Sequence, residues 1–201
     1  MKGRRKGEWG YFDSEKKRKL LITAASFLIP AVILISGALY FGTKANLMTV
    51  VAMVGMIPAS MSLVSTIMFF LRHSLPEEEY RAIEPHEGSL TVAYELYLTS
   101  EKQNALVDCI AICGTELVGY ISDSGTDPRF AEDHLTRMLR ADGYRMNVRM
   151  LTDLRRFTER MDSMNEHAES LRKDLKFTPN SAYEGYGRED MIRHCALNLS
   201  I

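Results

Sequence analysis

LLITAASFLIPAVILISGALYF, residues 20–41, and LMTVVAMVGMIPASMSLVSTIMFFL, residues 47–71, are the stretches whose reading decides the fold of this chain. The first has 22 residues and the second 25, and neither contains a charged side chain. At about 1.5 Å per residue each is long enough to cross a hydrocarbon core about 30 Å thick. The helices of a soluble protein normally carry a polar face, and these runs show none. A cleavable signal peptide is shorter and is not followed at once by a second span. The expectation is a two-helix transmembrane hairpin over residues 20–71, with the lipid bilayer as its first partner.

Charge sets the expected orientation. Residues 1–19 hold eight Lys or Arg and three Asp or Glu, whereas the connector from Gly42 to Asn46 holds only Lys44. The positive-inside bias places both termini in the cytoplasm of a multi-pass cell-membrane protein, read here as bacterial. Trp9, Tyr11 and Phe12 interleave with the basic residues of 1–19, a composition suited to a cytosolic anchor at the headgroup level. In the second span Ala52, Gly55, Ala59, Ser62 and Thr66 form a stripe of small residues for close helix packing. That packing is either within the hairpin or between subunits of an oligomer. Pro30 and Pro58 interrupt the two helices.

Residues 72–88 read as a juxtamembrane linker helix opened by Pro76-Glu77-Glu78-Glu79, with proline in the first turn and carboxylates against the positive end of the helix dipole. Residues 89–201 suffice for one cytosolic domain. Leu90 to Thr99 alternates, with Leu90, Val92, Tyr94, Leu96 and Leu98 expected on one side of a strand. Ala105 to Cys113 and Glu116 to Ser122 flank Gly114-Thr115, a pair suited to a tight hairpin turn. Asp127-Pro128 starts a helix ended by Asp142-Gly143, and Tyr144 to Leu151 is a fourth strand. Leu154, Phe157, Met161, Met164, Ala168, Leu171 and Leu175 keep spacings of three and four, which predicts one long amphipathic helix and a candidate interaction surface. Lys176 to Gly187 reads as a loop, and Cys195 to Ile201 as an edge strand or docked helix. The fold class is therefore a membrane hairpin followed by an α/β (α+β) domain, mostly antiparallel, in the order β-β-β-α-β-α.

That order is similar to the core topology of restriction-endonuclease-like domains. The resemblance implies a metal-binding Asp on the second strand, met by Asp108, and an acidic residue followed two positions later by Lys on the third. Glu116-Leu117-Val118 has Val where that Lys belongs, so any such domain is degenerate. Cys109, Cys113 and Cys195 have no zinc-ligand spacing, and the five histidines form no catalytic motif, so no metal, cofactor or catalytic residue is expected.

Two functional readings stand. In the first, the domain is a membrane-tethered interaction or scaffold module that binds a cytosolic protein or self-associates. In the second, it senses a nucleotide-like or phosphorylated ligand. Ser122, Ser124, Gly125 and Thr126 would then offer backbone amides before the helix at Pro128, with Arg145 and Arg149 adding charge. From Arg72 onward there are 16 basic and 23 acidic residues, a balance of −7, which speaks against a nucleic-acid surface over the whole domain. Arg155, Arg156 and Arg160 form a local basic patch within it.

Overall fold

A computed structural model describes residues 4–43, 47–100, 103–173, 175 and 185–200. The chain divides into two compact units, one built from Phe12–His73 and the other from Arg4–Tyr11 together with Ser74–Ile201.

The first unit consists of two long apolar helices, α1 (Tyr11–Phe41) and α2 (Leu47–Phe70), each long and apolar enough to cross a membrane. Most of their large side chains are exposed, among them Leu21, Leu39 and Met61. Apart from Phe12 and Phe69, what is buried is small or polar and recurs every seven residues: Thr23, Pro30 and Gly37 on α1, and Ala52, Ala59 and Thr66 on α2. A seven-residue repeat keeps one seam facing its partner, as in left-handed helix pairs. The Thr23 hydroxyl lies 2.7 Å from that of Thr66 and 2.9 Å from that of Ser62. Equal steps from that contact bring Pro30 level with Ala59 and Gly37 with Ala52. A Cβ on Gly55 would come within 3.3 Å of the Pro30 ring. The expected small-residue stripe is thus the seam between the two helices of one chain.

The second unit is a mixed four-stranded sheet with helices on both faces, an α+β arrangement. Its strands are β1 (Thr91–Thr99), β2 (Asn104–Cys113), β3 (Glu116–Tyr120) and β4 (Asn147–Leu151), in the order β1-β2-β3-β4. The first three form an antiparallel meander, and β4 joins β3 in parallel after the crossover helix α4 (Pro128–Ala141). Asp127 caps α4 by accepting from the Arg129 N–H. The fourth strand is shorter than expected. Its first expected residue, Tyr144, instead donates its N–H to Leu139 O at the end of α4. The remaining helices are α3 (Glu77–Ile83), α5 (Leu154–Glu166), α6 (Ala168–Arg172) and α7 (Arg188–Leu199).

Two cores follow. One face of the sheet packs against Ala131, Leu135 and Leu139 of α4 and Ile192 and Ala196 of α7. The other packs against Leu75, Ile83 of α3, Phe157, Met161 and Met164 of α5, and Ala168 of α6. The expected single helix from Leu154 to Leu175 is instead broken at His167, which leaves helical geometry at φ −103° and ψ 14°. Its stripe is interior. Phe157, Met161, Met164 and Ala168 are buried in the second core, Leu154 and Leu171 are partly buried against it, and Leu175 lies beyond α6. The C-terminal stretch is mainly docked helix, since α7 runs to Leu199 and only Ser200 forms a bridge to Leu98. Most of the expected loop (176–184) and part of the α1–α2 connector (44–46) lie outside the described residues.

The strand alternation is also corrected. Ala93 lies in the first core with Leu96 and Leu98, whereas Leu90 and Tyr94 lie in the second. The face therefore switches at Glu95, whose φ is +57°. Opposite it, β2 switches at the level of Asp108, with Ala105 and Val107 on the first core beside Ile110 and Ile112. Both strands turn over together, so the register either side is unchanged.

Of the expected anchor over residues 1–19, residues 4–11 form a strap on the second unit and Tyr11 opens α1. Tyr94 N–H donates to Gly7 O at 3.0 Å, and Gly10 N–H donates to the Glu95 carboxylate at 2.8 Å. The Trp9 indole donates to Leu75 O at 2.8 Å and stacks on Tyr80 at 4.5 Å between ring centres.

Two substitutions test this packing in the full chain in detergent. Gly114 has φ +58°, and a Cβ there would collide with the Leu171 carbonyl oxygen. Gly114→Ala is expected to lower unfolding stability by at least about 2 kcal/mol in urea titrations. Trp9→Ala should cost about 2 kcal/mol by the same measurement, because it removes both the stack and the Leu75 bond.

Candidate functional site

On the α4 side of β4, Val148 and Met150 are buried, while Asn147 and Arg149 point to the other side and are exposed. The second core draws strand residues from β1, β2 and β3 and reaches β4 only at the partly buried Leu151. The rest of that strand face is left uncovered. Beside it stand Arg156 and Arg160 of α5, and together with Glu116, Val118 and Leu151 these residues line an open groove of about 450 Å³.

The groove is held by one carboxylate. Glu116 Oε1 accepts from the Asn147 amide at 2.9 Å, and Oε2 accepts from Arg160 at 2.8 Å. Partial burial alone would raise the Glu116 carboxyl. The hydrogen bonds from Asn147 and Arg160 and the charges of Arg160 and Arg149 outweigh it and hold the group below the ordinary glutamate range. Arg156 stands 3.8 Å from Asp153, a loose pair with both side chains largely exposed. The Arg149 side chain makes no hydrogen bond or ion pair among the described residues. The lining itself carries three guanidinium groups and one carboxylate, a net charge of +2, with Asp153 just outside it beside Arg156.

The six residues expected at an anion site are placed differently. Ser122 N–H donates to Asp108 at 2.6 Å, Gly125 N–H to Asp123 at 2.9 Å, and Thr126 N–H to Asp123 O at 3.2 Å. Those amides already serve acceptors on β2 or within the loop, and Ser124 lies between them. The loop follows β3 at the Tyr120–Leu151 end of the parallel pair, whereas Arg145 precedes β4 beyond the Glu116–Asn147 end. Ser122 to Thr126 and Arg145 are therefore not brought together, and Arg149 belongs to the groove. The basic patch of α5 was visible in the sequence. Its pairing with Arg149 and Glu116 depended on which strand lies at the sheet edge.

The nuclease-like arrangement is not assembled. Asp108 sits beside Ser122 at the open end of the β2–β3 hairpin and Glu116 at its turn, roughly 16 Å away at about 3.3 Å per residue. Burial raises the Asp108 carboxyl, an effect partly offset by its bonds from Ser122. Burial also raises the Cys109 thiol well above its usual value and pushes Cys195 up to about 11, which disfavours thiolates at neutral pH. Among the described residues no three His, Cys, Asp or Glu side chains are grouped as metal ligands.

The fold and groove together define a two-unit chain, a pair of long apolar helices and an α+β unit with one uncovered strand face. Compared with known protein families, curated proteins and solved structures, the chain matches none of them.

The depressed Glu116 carboxyl gives a signed pH dependence. Its contribution to stability is complete above the ordinary glutamate pKa and disappears as pH falls through the lowered folded value. Glu116→Gln is expected to lower the melting temperature at pH 7. The gap from the parent chain should close below about pH 4, as followed by thermal denaturation.

Proposed function

We propose that this chain is a two-pass membrane protein, with both termini on the cytoplasmic side of a bacterial cell membrane, whose α+β unit is a tethered binding module. The observation that carries this reading is the strap. Residues 4–11 and 74–201 fold into one unit, so the chain leaves that unit into α1 and returns to it from α2. A pair of spanning helices whose two ends belong to one folded body must start and finish on the same side of the bilayer. The excess of Lys and Arg in residues 1–19 over the single Lys44 in the connector favours the cytoplasm as that side.

The partner surface of this proposal is the groove at β4 and α5. The apolar stripe of α5 and α6 is consumed by the second core, and both broad faces of the sheet are otherwise covered. A protein partner or a second copy would dock on that surface. A phosphorylated ligand is the second reading, favoured by the unpartnered Arg149.

Topology is testable with one added cysteine at a time in a background where Cys195 is serine and Cys109 and Cys113 stay buried. Gly42→Cys should react with a membrane-impermeant maleimide in intact cells. Ser124→Cys should react only after permeabilisation. Equal labelling of both positions before permeabilisation would remove the two-pass arrangement.

A further inference from the structure

We propose that the groove between β4 and α5 is a site for an organic phosphate monoester, carried either by a soluble ligand or by a lipid headgroup. This rests on reading the α+β unit as a binding module and adds the chemistry of what it binds.

The first argument is charge. Residues 72–201 carry a balance of −7, yet the groove gathers Arg149, Arg156 and Arg160 around a single carboxylate. Both oxygens of that carboxylate are engaged, one by Asn147 and one by Arg160. Glu116 therefore holds the donors in place and neutralises one of them. The groove lining is left at +2, with Asp153 beside Arg156 just outside it, and this suits the charge of about −1.5 to −2 that a phosphate monoester carries at neutral pH. A carboxylate or a sulfate monoester brings only one negative charge, and a metal cation is repelled.

The second argument is geometry. Arg149 stands on a strand and Arg156 and Arg160 stand on a helix packed against the same sheet, so the cations come from two rigid elements rather than from a loop. Guanidinium groups present planar forks that fit phosphate oxygens two at a time. Arg149, without an internal partner, is the donor free to make such a contact. The third argument is the floor. Leu151, only partly buried, lines the same groove above the fully buried Val118 and gives a small apolar surface beside the charges for the organic group that bears the phosphate. At about 450 Å³ the groove is within the range of small-ligand sites.

The test uses the full chain in nanodiscs of phosphatidylcholine, titrated calorimetrically with phenyl phosphate, phenyl sulfate and inorganic phosphate. Phenyl phosphate is expected to bind with a dissociation constant below about 1 mM, at least tenfold tighter than phenyl sulfate and tighter than inorganic phosphate. Arg149→Gln, at an exposed residue without an internal bond, should keep the melting temperature and weaken phenyl phosphate at least tenfold. Affinity should fall as pH drops through about 6, where the ligand loses its second charge. Repeating the titration in nanodiscs containing phosphatidic acid separates the sources. Weakened phenyl phosphate binding there assigns the site to a headgroup, and unchanged binding assigns it to a soluble ligand. Absence of binding, or equal affinity in parent and Arg149→Gln chains, overturns the phosphate assignment. The tethered-module reading is judged separately by the maleimide pattern, so the two can fail independently.

Discussion

The hydrogen bond from Tyr94 N–H to Gly7 O ties the chain's beginning to the outer edge of β1, and much of the second unit is arranged around that edge. An uncovered edge strand exposes unpaired N–H and C=O groups to any passing chain. Here the strap takes one stretch of it, and Ser200 takes another through its bridge to Leu98 and its bond from Tyr97 N–H. Lys6 adds a bond to Ser200 O, so the strap and the C-terminal end of α7 meet at the same strand. The same strap satisfies Glu95, a buried carboxylate whose solvation would otherwise be lost. Removing the strap would reopen the stretch of that edge at Tyr94 and take the Gly10 N–H from Glu95.

Glu95 also shows where sequence reading and structure part. Even-numbered apolar residues continue without interruption from Leu90 to Leu98, and a strand with one wet face would have to keep them on one side. At β1 and β2 both faces of this sheet are covered. An apolar residue is therefore accommodated on either side, and the pattern stays intact while the backbone turns over at Glu95. The nearly unbroken apolar run from Ala105 to Cys113 carried the same information, since only a strand buried on both faces reads that way. The paired switch with Asp108 could not be seen in either strand alone, because it is a property of their register.

The helical elements were legible to different depths. Long uncharged runs state their length directly, and Asp127-Pro128 states a helix start through local capping chemistry. The heptad from Leu154 to Leu175 was correctly apolar on one face, but periodicity carries no signal for the break at His167. α5 and α6 both lie on the second core, so the same stripe serves two helices as well as one. For the groove, the sequence offered Arg149 and the α5 arginines separately. Only the position of β4 at the sheet edge, outside the cover of α5, brings them together.

That uncovered face also answers what else the arginines do. β4 is the second edge of the sheet, and charged residues on an edge deter pairing with another strand. Glu132 already accepts from Met150 N–H at 2.7 Å, which protects part of the edge from the opposite side. Edge protection alone asks for charge scattered along the strand and is indifferent to its sign. What is found is one sign concentrated beside β4, with two of the three arginines contributed by a helix, and a carboxylate whose two oxygens fix an arginine and an amide in position. Under the proposal of a phosphate site, a lining carboxylate that orients its neighbouring cations serves recognition better than repulsion, and the rest of this domain carries the opposite net charge.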